Sequence, residues 1–265
     1  MSQPLLLVEQ NGDDVVIITL NRPATRNAIN VELAQAIVEA VTSAQSAKCI
    51  VLTGTDPGFC SGLDLRSLGI DKLADLPPFV KTISNSEIPV IAAVNGAAVT
   101  GGFEIALACD FIVASEQATF ADTHLRVGVY PGPVLVELPR RIGMARAREM
   151  SMTGNFVDAQ TALRIGLANH VVKHADLLPF TLSLASSIAE QNRHMISTMR
   201  HDWTETGTLP IQQAHERHSR ISLNAGFGLV TDESLQRNMS SVIARAHQQA
   251  IDADQASTVR NRPTT

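Results

Sequence analysis

Apolar residues along this chain fall into two patterns, short unbroken runs and positions spaced by three or four, and their alternation predicts strands handing over to helices. Val15-Val16-Ile17-Ile18-Thr19-Leu20 is a largely β-branched run preceded by the turn residues Asn11-Gly12-Asp13-Asp14, so a hairpin should lead into a buried strand. Asn30 can cap the next helix, with Glu32 in its first turn and Leu33, Ile37 and Val41 as its apolar stripe, ending near Ser46. Cys49-Ile50-Val51-Leu52 reads as a central strand, and strand, helix, strand makes a right-handed crossover. Arg66 to Pro78 is a mixed surface connection with Gly69, Asp71, Asp75 and Pro77-Pro78. A helix over about Phe79 to Asn85, a strand over Pro89–Val94, a turn at Asn95-Gly96, a helix opening at Gly101-Gly102 and a strand over Phe111–Ala114 follow.

Beyond these, Ala118-Thr119-Phe120 is extended. Helical spacing runs from Val134 through Leu135, Leu138, Ile142, Ala145 and Met150 to a capping signal at Thr153-Gly154-Asn155. Asp158 starts a helix that carries Ala162, Leu163 and Ile165 to Gly166, and His170-Val171-Val172 is extended again. From about Ala175 the pattern is helical, with a polar tail from about Ala256. The alternation is an α/β signature, without internal repeats.

Composition narrows the function. With 265 residues, 45% of them hydrophobic, the chain can bury the core of one large domain with at most a small appendage. A net charge of −5, with no basic cluster longer than Arg140-Arg141, argues against nucleic acid or an anionic membrane as the main partner. No apolar run approaches the roughly 20 residues that span a bilayer, and the N-terminus lacks a signal-peptide pattern, so a cytoplasmic location is the default expectation. Cys49, Cys60 and Cys109 are odd in number and lack C-x-x-C spacing. His170 and His174, like His215 and His218, stand in no zinc-motif context, so neither a disulfide framework nor a metal site is expected.

The chemistry concentrates in Val94-Asn95-Gly96 through Cys109-Asp110, where two glycines precede a helix. Glycines there let a ligand approach the backbone, the first helical amides lack intrahelical acceptors, and Glu104 adds a carboxylate in the first turn. An oxyanion site beside an acid or base is one reading; a tight turn with ordinary helix-dipole complement is the other.

Four segments in order resemble the crotonase (enoyl-CoA hydratase/isomerase) superfamily, most nearly in the pattern of bacterial enoyl-CoA hydratases. They are Leu20-Asn21-Arg22-Pro23 with Arg26-Asn27-Ala28, then Phe59-Cys60-Ser61-Gly62-Leu63-Asp64-Leu65, then Asn95 to Asp110, and Met152-Thr153-Gly154 with Ala162 to Val172. The resemblance implies a spiral of ββα units over 1–195 that binds and turns over a CoA thioester. It also implies a helical region over 196–265 that makes a homotrimer or a dimer of trimers. No separate cofactor is implied, since coenzyme A is part of the substrate. The backbone amides of Leu63 and Gly101 correspond to the family's oxyanion hole. Ser61 and the Arg26-Asn27-Ala28 loop correspond to the surface for the adenine end of CoA, with Arg22 or Arg26 able to pair with its phosphates.

In the family's hydratases two glutamates flank the water that adds across the α,β double bond. Glu104 matches the first, whereas the second position holds His124, which can also hold or give a proton near neutrality. Asp122 could orient that imidazole or act as the acid itself. Near the C-terminus, Arg237 to His247 offers Val242 and Arg245 where the family often has an aromatic and a lysine; Arg245 can still meet a phosphate. The leading expectation is therefore an enoyl-CoA hydratase of fatty-acid or related acyl-CoA degradation, with Glu104 and His124 catalytic. An isomerase or other thioester reaction using Glu104 alone, a hydrolase with Cys60 or Ser61 as nucleophile, and a non-catalytic acyl-CoA binding module are the alternatives.

Overall fold

The computed structural model describes residues 3–68, 76–224, 235–236 and 238–249. Part of the expected surface connection (69–75), Arg237 and the polar tail from Ala256 lie outside them. The chain divides into two compact units, Met1–Ser197 and Thr198–Thr265.

The first unit is built on a six-stranded sheet. Strand β1 (Leu6–Asn11) pairs antiparallel with β2 (Val15–Leu20) through the Gly12 turn. From β2 onward the sheet is parallel: β3 (Cys49–Gly54), β4 (Val90–Val94), then β6 (Phe111–Ser115) and β9 (His170–Val172), in the order β1-β2-β3-β4-β6-β9. Both faces are covered, which is why these strands are near-continuous apolar runs. With side chains alternating, Ile50, Leu52, Val90, Ala92 and Ile112 fill one core together with α1 (Val31–Ser43), α3 (Phe79–Ser84) and α4 (Gly101–Ala108). Their neighbours Cys49, Val51, Ile91, Ala93 and Val113 face Leu177, Ala185 and Ala189 of α8 (Leu177–Ala189).

Local signals explain the boundaries. Asn30 Oδ1 accepts from the Leu33 amide at 3.0 Å, capping α1, which gives way to a 3-10 turn over Ala44–Ser46. The single helical stretch expected from Val134 to Met150 is two helices, α5 (Val134–Ile142) and α6 (Met144–Thr153). Gly143 breaks it at φ +80°, shifting the register so that Ala147 and Met150 are buried while Ala145 is exposed. Asp158 Oδ1 caps α7 (Ala159–Arg164) from the Thr161 amide at 2.6 Å.

The extended piece expected at Ala118–Phe120 belongs to a second, three-stranded sheet whose other two strands the hydrophobic pattern did not predict. β5 (Ala97–Val99) pairs parallel with β7 (Thr119–Ala121), which pairs antiparallel with β8 (Val157–Asp158). Strands of two or three residues leave too short a trace for an alternation to register. This small sheet, and not the long strand β4, delivers the chain to α4. In the second unit, α9 (Arg193–Thr206), which begins just before the division, and α10 (Ile211–Asn224) are joined by Glu205 with Arg217 and by Asp202 with His218. A further helical run covers 238–249.

Candidate active site

Two backbone segments meet where β5 ends. Residues 60–64 thread between β5 and the 26–29 loop: the Cys60 amide donates to Ala97 O at 3.0 Å, Val99 donates back to Cys60 O at 3.0 Å, and Ile29 donates to Gly62 O at 2.8 Å. The approach is so close that a Cβ on Gly102 would sit 2.1 Å from Cys60 O, and one on Gly62 would sit 1.9 Å from Thr100 Oγ1. Gly62 also has φ +94°, so glycine is required there twice over. Thr100, which precedes α4, is itself held at φ +46° and ψ −117°, an unfavourable conformation for a residue with a Cβ. Its amide is pinned to Ala121 O at 3.0 Å.

This packing brings Gly101 against Leu63: a Cβ on Gly101 would lie 3.7 Å from the Leu63 side chain. Among the described residues neither amide donates a backbone hydrogen bond. Two unspent donors on a rigid frame can receive an oxygen that gains charge.

Glu104 stands one turn into α4 and is buried. Its Oε1 accepts from the Val134 amide at the start of α5, at 3.3 Å, and the nearby Gly132 backbone also favours its ionised form. Burial raises its proton affinity above the ordinary carboxylate range, and the Asp122 charge adds to this. The His124 charge and the Val134 and Gly132 backbone offset part of the rise. Glu104 also opens into a cavity of about 250 Å³ walled by Val80, Leu107, Pro133 and Val134, with Lys81 and Glu137 among its polar lining residues.

His124 begins a 3-10 turn (His124–Val127) three residues beyond β7. Phe120 of β7 packs on Phe103 of α4 with ring centroids 5.9 Å apart, which brings this segment alongside Glu104. The imidazole is buried and its Nδ1 lies 2.6 Å from Asp122 Oδ1. Burial alone would lower its proton affinity; the Asp122 hydrogen bond and the charges of Glu104 and Asp122 outweigh that and raise it. Glu104 and His124 thus lie within each other's field, and Glu104 is carried by the helix that opens at Gly101, against Leu63.

The residues expected at the CoA surface divide. The Arg22 guanidinium is taken up internally by Asp64, at 3.0 Å, and by the Ala28 carbonyl, so it braces the 63–64 segment. Arg26 is exposed beside Ser61, whose hydroxyl donates to Thr25 O at 3.1 Å, and Ala28 is nearly buried. Arg245 lies exposed in the helical run 238–249 of the second unit. Cys60 is no nucleophile: it is sealed in the core, its Sγ lies 3.1 Å from Asn27 O, and burial pushes its thiol up to about 12.

Two contributors escaped the sequence. Asn27 is fully buried at φ +58°, and its amide donates to the carbonyls of Thr55, Gly58 and Phe59 at 2.8, 2.7 and 3.2 Å. It pins the loop that carries Leu63, where the motif alone suggested a ligand surface. Gly132 stands against Glu104; the only local hint is Pro131-Gly132-Pro133 before a helix.

Comparison with known proteins gives the context. Residues 10–229 match the family described as Enoyl-CoA hydratase/isomerase. A relative from Arabidopsis thaliana named "Probable enoyl-CoA hydratase 1, peroxisomal" is 34% identical over 84% of this chain and 90% of its own length. Among solved structures, an enoyl-CoA hydratase from Mycobacterium smegmatis is 40% identical, with a TM-score of 0.67 over 83% of this chain and 98% of the other. A second enoyl-CoA hydratase from that organism is 27% identical with a TM-score of 0.83, covering 90% and 97%.

Proposed function

The chain belongs to the enoyl-CoA hydratase/isomerase family, and on that premise we propose that it is an enoyl-CoA hydratase, adding water across the α,β double bond of a 2-enoyl-CoA thioester. The observation that carries this reading is the pairing of a buried carboxylate of raised proton affinity with a buried imidazole of raised proton affinity, each within the other's field. The unspent amide of Gly101 opens the helix that bears Glu104, and Leu63, whose amide is also unspent, packs against Gly101.

The thioester oxygen takes hydrogen bonds from Leu63 and Gly101, a contribution of about 3 kcal/mol per donor to the barrier. Ionised Glu104 removes a proton from water as its oxygen bonds to Cβ, and the π electrons move to the thioester oxygen as an enolate. His124, protonated, gives a proton to Cα as the enolate collapses. The proton gained by Glu104 then passes to His124 before the next turnover, so water is added and nothing else is consumed. The cavity beside Glu104 suits the acyl chain beyond Cβ, since its walls are largely apolar. No cofactor enters the reaction beyond the coenzyme A of the substrate.

The same proposal assigns Arg26, with Ser61 and Ala28, to the CoA phosphates and adenine, and Arg245 to the CoA of a neighbouring subunit, Arg22 being engaged by Asp64. It assigns the second unit to assembly into a homotrimer or dimer of trimers, an assignment supported by the exposed Trp203, Ile211 and Leu223. A cytoplasmic location belongs to it too. Among the described residues no helix is long and apolar enough to cross a membrane, while the Arabidopsis relative carries "peroxisomal" in its name. The test is turnover of a panel of 2-enoyl-CoA thioesters by the wild type, E104Q and H124A. Hydration that collapses in both variants supports the two-group reading; activity that survives H124A points to proton shuttling by Glu104 alone, as in isomerisation. Binding without turnover leaves only an acyl-CoA binding module.

A further inference from the structure

His124 stands two residues from a second acid, and the geometry between them is specific. Asp122 is 1% exposed and directly follows the small sheet's central strand, two residues before the 3-10 turn begins. Its Oδ1 lies 2.6 Å from His124 Nδ1 and 3.4 Å from the His124 amide. Its Oδ2 is sealed from solvent and has no hydrogen-bond partner among the described residues. The Ser151 hydroxyl of α6 also favours the ionised form of this carboxylate, which the His124 hydrogen bond and charge hold below the ordinary range despite burial. A buried carboxylate is costly to keep ionised unless donors or a cation stand beside it. The ring of His124 is what can supply that cation.

The imidazole has two nitrogens, and only Nδ1 is engaged; among the described residues Nε2 makes no hydrogen bond. An ionised carboxylate can only accept, so the Nδ1 proton points to Asp122 and the exchangeable position is Nε2. The charged groups acting on the ring are Asp122 on its own segment and Glu104 from α4; Arg126, on the same turn, is turned away to Thr153 O and Asn155.

Resting on the hydratase reading above, we propose that Asp122 is a positioning residue that holds Nδ1–H of His124, keeps the ring cationic and presents Nε2–H to the α-carbon. In the step it supports, the Nε2–H bond breaks, the Cα–H bond forms, the N–H electron pair stays on the imidazole, and Asp122 keeps its charge throughout. The pair does with two side chains what one protonated carboxyl would do alone.

The test combines ¹⁵N and ¹³C NMR titration of His124 in the full chain with pH profiles of kcat and KM for the wild type and D122N. When titrated to its neutral form, wild-type His124 is expected to keep its remaining proton on Nδ1. In D122N the His124 titration and the alkaline limb of kcat should both move down by about one pH unit or more, with KM for the enoyl-CoA nearly unchanged. A neutral wild-type ring protonated on Nε2 overturns the proposal. So does a limb that stays in place in D122N, or a fall in activity uniform across pH, as loss of packing would give. The wild-type tautomer decides even if D122N does not fold. A wild type that hydrates no enoyl-CoA sinks the hydratase reading, whereas the NMR titration reads the Asp122–His124 pairing independently.

Discussion

Two of the Asp–His pairs, Asp122–His124 and Asp56–His174, have opposite fates. His174, in the 3-10 turn after β9, has Nε2 3.1 Å from Asp56 Oδ2 and Nδ1 3.1 Å from the Ser115 hydroxyl. Asp56 in turn accepts from Asn95 Nδ2 at 2.8 Å. Aspartate, histidine and serine in hydrogen-bonded series look like a nucleophile and its base. Ser115, however, is 0% exposed at the end of β6, Asp56 is 62% exposed, and both ring nitrogens are occupied. That network ties the loop after β3 to the loop after β9 and has nothing left for a substrate. His124 differs in two respects: its pair is buried, with side chains 9% and 1% exposed, and its second nitrogen is unspent beside another carboxylate. A histidine becomes chemically useful through what its free nitrogen faces and how little water screens it, more than through having an aspartate partner.

That contrast can be broken most forcefully at Glu104. E104Q removes the base while keeping the shape, and kcat for enoyl-CoA hydration should fall by about 10³-fold or more. Steady-state kinetics with thermal unfolding as a folding control checks it. H124A should cost about 10²- to 10³-fold. A variant that keeps most activity would reduce His124 to the structural status of His174.

Gly132 tests how tightly the carboxylate must be held. A Cβ there would stand 2.9 Å from Glu104 Oε1, so G132A should displace the carboxylate and lower kcat about tenfold to a hundredfold, with little change in melting temperature. The wild-type pH profile sharpens the comparison further. Activity needs Glu104 ionised and His124 protonated, and both proton affinities are raised. The acid limb should therefore lie above the ordinary carboxylate value and the alkaline limb above that of free imidazole. Since the two groups interact, the limbs belong to the pair. The smallest effect is expected at the other pair: H174A should leave kcat within about twofold and cost about 1 kcal/mol of stability in urea denaturation. A catalytic collapse in H174A would overturn the contrast.

Much of this was readable along the chain, and the reason is local. Asn30, Gly12 and Asp158 mark their helix and turn boundaries through bonds to residues a few positions away, and the β2, β3 and β4 runs announce a sheet covered on both faces. The motif order pointed to the family, and Glu104 could be placed because a first-turn carboxylate after Gly101-Gly102 is a short-range feature. What needed the tertiary structure was every relation spanning long stretches of chain. The β5-β7-β8 sheet brings His124 alongside Glu104, and Asn27 fixes a loop some 30 positions on. Arg22 is paired with Asp64, 42 positions away. The same holds for the two histidines: the sequence by itself determined that each could carry a proton, since that is a property of the side chain. Which of them has a free nitrogen in a dry pocket was decided by packing alone, because burial and the choice of partner come from segments that meet only when the chain folds.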